Sequence, residues 1–316
     1  MKLEETKILF LGLTNKCNGR CIMCWHSNEN PYPCQEIDKA QLANIRDDLF
    51  DKIDYLHLVG GGEQMLYSDM DNLLASMRHY NFKLIITTNG SVISEKQRQL
   101  LLPLDVNIII SLDGSTKEIQ ETIRPNCDYD AVVENIKYFT SNGKTVILRV
   151  TLSNHNYQDM DNIITLAENL GVAKVKFQCV EFLSNLDEPY KFSKPPEIGY
   201  DYVDEILAKH KGISVSVSLA NYRSDNKDFE EYYDIVPSVQ QKDYCGNTRH
   251  TIYIQEDGRV LSCCLPNSKV MGDLNINTLE EILDSFEYDD NRLYCSCAIM
   301  RRSSRRDSKF KDVVWV

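Results

Sequence analysis

The stretch Thr14-Asn15-Lys16-Cys17-Asn18-Gly19-Arg20-Cys21-Ile22-Met23-Cys24-Trp25-His26 decides how the rest of this chain is read. It places Cys17, Cys21 and Cys24 in C-x3-C-x2-C spacing, close enough for three thiolates to share one metal centre. The apolar run Lys7–Leu13 leads straight into it, so the thiols sit where a strand gives way to a loop. Three thiolates are one short of the set that closes a four-iron cluster, which leaves one iron open to a ligand that is not protein. The competing reading is structural zinc, with His26 or Cys34 completing a closed tetrahedron.

Outward from this loop, short apolar runs alternate with helical periodicity. Strands are predicted at Lys7–Leu13, Tyr55–Val59, Lys83–Thr88, Val106–Leu112, Thr145–Leu152 and Val172–Val180, with a last one at Ile213–Leu219. Helices are predicted at Asp38–Phe50, Asp69–His79, Ser94–Leu101, Asp130–Ser141 and Gln158–Leu170, with Ser94 and Gln97 at capping-box spacing. Continuous apolar strands alternating with helices call for an α/β fold, a partial (β/α)6 TIM-like barrel with a parallel sheet. Active sites of such barrels lie where strands end. The cysteine loop, Gly60-Gly61-Gly62-Glu63, Thr88-Asn89-Gly90 and Ser111-Leu112-Asp113-Gly114 all fall at those ends.

Residues 1–220 therefore read as the barrel, and 221–244 as a polar, aromatic, aperiodic connector. Residues 245–300 read as a small β-hairpin/helix domain, and 301–316 as a basic tail. In the small domain His250–Gln255 and Arg259–Cys263 flank the turn Glu256-Asp257-Gly258, and Leu279–Phe286 is a short helix. A piece this small needs a staple such as a metal site.

The chain has 316 residues, 42 % hydrophobic and 26 % charged, as expected of an ordinary globular protein. It has no apolar run of membrane-spanning length and no signal-peptide core at its start, which predicts a cytoplasmic protein away from membranes. A net charge of −12 repels nucleic acid and suits a cationic small-molecule substrate. Eleven cysteines are many for a reducing compartment. Three fall at 17–24 and five at 245–297, leaving Cys34, Cys127 and Cys179 elsewhere; two clusters of thiols suggest two metal sites.

A first strand running into C-x3-C-x2-C, with Gly61-Gly62-Glu63 closing the second, resembles the radical S-adenosylmethionine (SAM) superfamily. The resemblance covers roughly residues 7–220. It implies a [4Fe–4S] cluster on Cys17, Cys21 and Cys24 whose open iron chelates the amino and carboxylate groups of SAM. Reductive cleavage then gives a 5′-deoxyadenosyl radical that abstracts hydrogen from a C–H bond, with an electron from a flavodoxin or ferredoxin. The resemblance assigns Gly61, Gly62 and Glu63 to the methionyl ammonium, Ser111 and Arg149 to ribose and methionyl carboxylate, and Asn89 and Asp113 to the same mouth. Met23 stands where the family often has an aromatic residue, and Trp25 is the alternative adenine contact.

Cys245, Gly258 and Cys263 stand in C-x12-G-x4-C spacing, which looks like the start of a SPASM or twitch extension. That resemblance implies one auxiliary [4Fe–4S] cluster on Cys245, Cys263, Cys295 and Cys297. The closing pair is C-x-C rather than C-x2-C, and Cys264 competes with Cys263. Structural zinc is the alternative here too.

An auxiliary cluster suits oxidation of an amino-sugar- or polyol-like metabolite, with the cluster taking the electron. A radical epimerase with Cys179 or Cys127 as hydrogen donor is the first alternative, and a peptide-modifying (RiPP) enzyme the second. The second is disfavoured at this stage because the cysteine motif begins at residue 17, without a leader-binding domain before it. A non-catalytic zinc or iron–sulfur partner module is the reading outside enzymology.

Overall fold

A computed structural model of the chain describes residues 2–24, 33–179, 200–218, 250–262 and 269–286. Each apolar run becomes a strand: β1 (Ile8–Leu11), β2 (Tyr55–Leu58), β3 (Lys83–Thr88), β4 (Val106–Ser111), β5 (Thr145–Leu152), β6 (Lys174–Cys179) and β7 (Ser214–Ser218). They pair in parallel in chain order, giving the sheet of a partial (β/α)6-type barrel. Three more strands, β8 (Thr251–Ile254), β9 (Arg259–Leu261) and β10 (Val270–Asp273), extend it to ten in the order β10-β9-β8-β1-β2-β3-β4-β5-β6-β7.

The intervening helices are α1 (Lys39–Leu49), α2 (Met70–Ser76), α3 (Glu95–Leu101), α4 (Lys117–Ile123), α5 (Tyr129–Ser141), α6 (Met160–Asn169) and α7 (Tyr200–Lys209); α8 (Leu279–Ser285) follows the hairpin. Their starts are written in the sequence. Asp38 caps α1 by accepting from Ala40 and Gln41 N–H, and Ser94 and Gln97 form the predicted capping box of α3. Helix α4 carried no usable periodicity, because only Gln120 and Ile123 of its seven residues are buried. Strand β10 was equally hard to read, since its residues are half-buried or exposed.

Period-2 alternation divides the sheet into two faces. Leu9, Leu11, Leu56, Leu58, Ile108, Ile110, Leu148 and Val175 pack with the helices in one large core. The opposite parity carries Phe10, His57, Thr87, Ser111, Arg149 and Lys176, a mostly polar set.

The described part of the small C-terminal piece shares the barrel's sheet. Strand β8 pairs in parallel with β1 in the register Ile8↔Thr251 to Leu11↔Ile254, and β9 and β10 add antiparallel. All four residues of β8 are buried, so the hairpin takes its core from the barrel instead of building its own. Among the described residues no helix is long and apolar enough to cross a membrane. The expected connector and basic tail lie outside the described residues, as do Trp25, His26, Cys245, Cys263, Cys264, Cys295 and Cys297.

Candidate functional site

The cysteine loop leaves the C-terminal end of β1 and is pinned from three sides. Asn15 N–H donates to the Gln35 carbonyl (3.1 Å), and Glu63 N–H donates to the Lys16 carbonyl (2.7 Å). Arg20 and Ile22 N–H donate to the carbonyls of Pro125 (2.8 Å) and Ile123 (3.0 Å), at the turn between α4 and α5. The Gly60–Gly62 segment is glycine for a steric reason. A Cβ on Gly62 would stand 2.2 Å from the Lys16 carbonyl oxygen and 2.5 Å from the Asn15 carbonyl carbon, both backbone atoms.

A cavity of about 520 Å³ opens above the loop, lined among others by Cys17, Cys21, Cys24, Cys34, Gly61 and Leu66. The Cys17 and Cys21 sulfurs lie 3.7 and 3.4 Å from the point where a Gly19 Cβ would be. Burial pushes the Cys17 thiol up to about 11 against a hydrogen bond from Gly19 N–H. Cys21 is pulled the other way, downward, by the neighbouring Cys127 thiol and the Arg124 guanidinium, despite its burial.

The expected cofactor contacts separate into two groups. Glu63 is buried: Oε1 accepts from Met65 N–H (3.1 Å) and Thr88 Oγ1 (2.7 Å), and Oε2 from Asn89 N–H (2.6 Å). Burial raises its pKa, opposed by those three donors. Asn89 donates from Nδ2 to Asn18 Oδ1 (2.8 Å), tying the end of β3 to the cysteine loop. Ser111 and Arg149 lie side by side in register on β4 and β5, and the buried Arg149 Nε has no hydrogen-bond partner among the described residues.

Asp113 departs from expectation. It is fully buried, with Oδ1 accepting from Thr151 N–H (2.7 Å) and Oδ2 from Arg124 Nε (2.6 Å). It anchors Arg124 instead of lining the mouth. Of the expected hydrogen donors, Cys127 is 0 % exposed and lies against the cysteine loop beside Cys21. Cys179 ends β6 in register with Leu152, and its side chain lies outside the described residues.

Two features were not read from the sequence. Glu256, in the β8–β9 turn, brings its carboxylate to 2.9–3.5 Å of where Cβ atoms of Gly12, Gly60 and Gly61 would stand. Glycines at two adjacent strand ends were the available signal for such a close approach. The second feature is a row across the sheet: Ser111, Arg149, Lys176 and Ser216 are consecutive register partners on β4 to β7. Burial, then Lys174 and Arg149, push Lys176 down to about 8. His57 on β2 is held neutral, near 3, by burial and by the charges of Arg149 and Lys176. Strands three and four places away influence it because the sheet curls. No aspartate or glutamate occurs in β1 to β8, so these strands bring basic side chains and no acidic ones to this face.

The sequence profile described as the Radical SAM superfamily matches residues 11–167, and that of the SPASM iron–sulfur cluster-binding domain matches residues 245–309. The chain belongs to the radical SAM superfamily. Its Fe-coproporphyrin III synthase relative from Methanosarcina barkeri is 23 % identical over 175 residues, 55 % of this chain and 44 % of that protein. Mycofactocin maturase MftC of Mycobacterium tuberculosis is 30 % identical over 163 residues, 50 % of this chain and 41 % of that protein. The chain thus matches less than half the length of these relatives. The crystal structure of Streptococcus suis SuiB bound to SAM aligns with TM-score 0.65 at 15 % identity, over 90 % of this chain and 66 % of that one. SuiB bound to its precursor peptide SuiA aligns with TM-score 0.64.

A radical SAM enzyme carries a SAM-binding [4Fe–4S] cluster, and the SPASM match adds an auxiliary cluster. The residues described here fit the first of these. Three thiols of a single loop line one cavity, and Arg149, a half-buried arginine whose Nε has no partner among the described residues and whose fork suits a carboxylate, lies on the curled face. The predicted auxiliary ligands fall within the residues matched to the SPASM domain.

Proposed function

We propose that this radical SAM enzyme modifies a peptide, with Cys17, Cys21 and Cys24 holding the SAM-binding cluster and Cys245, Cys263, Cys295 and Cys297 an auxiliary one. The cluster with SAM supplies a radical able to abstract hydrogen from a C–H bond. The chain's own groups do the rest. Gly61, Gly62 and Glu63 receive the methionyl ammonium, Arg149 the methionyl carboxylate, and Asn89 with Asn18 keeps the loop against the end of β3. Trp25 remains a proposed adenine contact. The observation that carries the peptide reading is the similarity to a maturase, MftC, supported by a fold shared with SuiB, one of whose crystal structures holds its precursor peptide SuiA.

Oxidation of an amino-sugar or polyol, the reading drawn from charge and chain organisation, has less behind it. Net charge does not describe the strands of the curled face, which carry Lys174 and Lys176 beside the Arg149 assigned to SAM and so do not by themselves favour a cationic substrate. The position of the cysteine motif near residue 17 does not decide the matter either, because the relatives extend well beyond the matched segment. A cytoplasmic setting with a flavodoxin or ferredoxin reductant completes the proposal.

The test is anaerobic turnover of reconstituted enzyme with dithionite, SAM and synthetic peptides encoded beside its gene. Peptide-dependent 5′-deoxyadenosine and a changed peptide mass are expected. Deoxyadenosine formed equally without peptide would remove the peptide reading, and no SAM cleavage by iron-replete protein would remove the catalytic one.

A further inference from the structure

Cys127 has no part in the function just proposed, yet the fold brings it to the centre of the cysteine loop. The turn Arg124-Pro125-Asn126-Cys127 runs beneath that loop and is bonded to it: Arg20 and Ile22 N–H donate to Pro125 and Ile123, and Asn18 Nδ2 donates to the Asn126 carbonyl (2.8 Å). Asn126 takes φ +66°, the sole non-glycine in the left-handed region among the described residues, which turns the chain sharply at this point. The Cys127 sulfur then lies 2.9 Å from where a Gly19 Cβ would stand, beside Cys21 and Cys17 at 3.4 and 3.7 Å from the same point. Three sulfurs fill the space a side chain at position 19 would need.

Cys21 is the sulfur on which donors converge. Arg124 Nη1 reaches it at 3.6 Å, and the Cys127 sulfur lies beside it. Arg124 cannot drift, because its Nε is held by the fully buried Asp113, which is itself fixed by Thr151 N–H. Cys127 cannot drift either, being wholly enclosed.

We infer that Cys127 is a positioning residue that donates a hydrogen bond to the Cys21 sulfur and, with Arg124, sets the reduction potential of the SAM-binding cluster. Adding an electron to a cluster raises the negative charge on its thiolate sulfurs. Donors aimed at those sulfurs stabilise the reduced form and raise the potential. The inference rests on the family assignment and is independent of whether the substrate is a peptide. It also replaces the role of substrate hydrogen donor that the sequence alone suggested for Cys127.

The experiment compares reconstituted wild type, Cys127→Ala and Cys127→Ser, with iron and sulfide measured in each. Midpoint potentials are read by redox titration on the electron paramagnetic resonance signal that SAM perturbs. Equal iron is expected in all three, with the alanine variant's midpoint more negative than wild type. The serine variant, whose hydroxyl still donates, should stay at or above wild type. A packing role alone would move the two variants together. An alanine midpoint coincident with wild type would overturn the inference. So would loss of SAM-cluster iron in both variants, which would make Cys127 a ligand instead of a donor.

Discussion

At the scale of single residues, the site depends on groups whose ionisation is set by neighbours from other strands. Lys176 is the clearest case. Burial and the adjacent Lys174 and Arg149 lower its pKa to about 8, so a lysine that would be charged throughout the physiological range loses its proton within it. A substrate carboxylate bound there should be held more weakly as pH rises through 8, seen as a rising KM for an acidic peptide. Lys176→Arg, which keeps its charge, should move that limb to higher pH. A KM independent of pH across this interval would dissociate Lys176 from the substrate. The stability effect has the opposite sense. The unfolded chain binds the proton more tightly than the folded one between about 8 and the ordinary lysine value, so folding stability rises with pH across that window.

At the scale of elements, the arrangement of greatest consequence is β8 lying parallel against β1. Strand β1 delivers the cysteine loop, and among the described residues its outer edge is covered by Thr251–Ile254. Gly12 N–H donates to the Ile254 carbonyl at the point where the loop begins, and the Glu256 turn caps Gly12 and Gly60. The C-terminal piece is therefore structural for the first cluster's loop, beyond any cluster of its own. Ending the chain at residue 244 should expose the β1 edge, a row of unpaired backbone donors and acceptors. Loss of the monomer peak on size-exclusion chromatography and of iron at the first site is the expected result; a monomer with a full first cluster would contradict it.

At the scale of the whole molecule, a SAM-binding cluster and an auxiliary cluster in one chain make a quantitative statement. Fully reconstituted protein should contain about eight irons per chain with matching sulfide, as two four-iron clusters require. Replacing Cys17, Cys21 and Cys24 together by alanine should remove about half of it and leave the rest. Retention of all the iron, or zinc without sulfide, would contradict this assignment of ligands. Charge also has to be read at this scale. The net −12 belongs mostly to helices and loops, whereas the strands that build the curled face carry basic side chains and no acidic ones.

By itself, the sequence determined the elements and the chemistry that local spacing can express. Apolar runs specified β1 to β7, Ser94 and Gln97 announced the start of α3, and C-x3-C-x2-C with Gly61-Gly62-Glu63 named the cofactor, because each of these signals is complete within a few residues. The tertiary structure alone decided what depends on residues distant in sequence: Arg124 and Cys127 beneath Cys21, Asp113 as an anchor instead of a ligand, Glu256 over the strand-end glycines, and β8 on the edge of β1. The physical reason is that a side chain's type and spacing fix which local hydrogen bonds and faces it can form. The burial and the long-range partners that set its charge and its role exist only once the sheet has curled and closed around it.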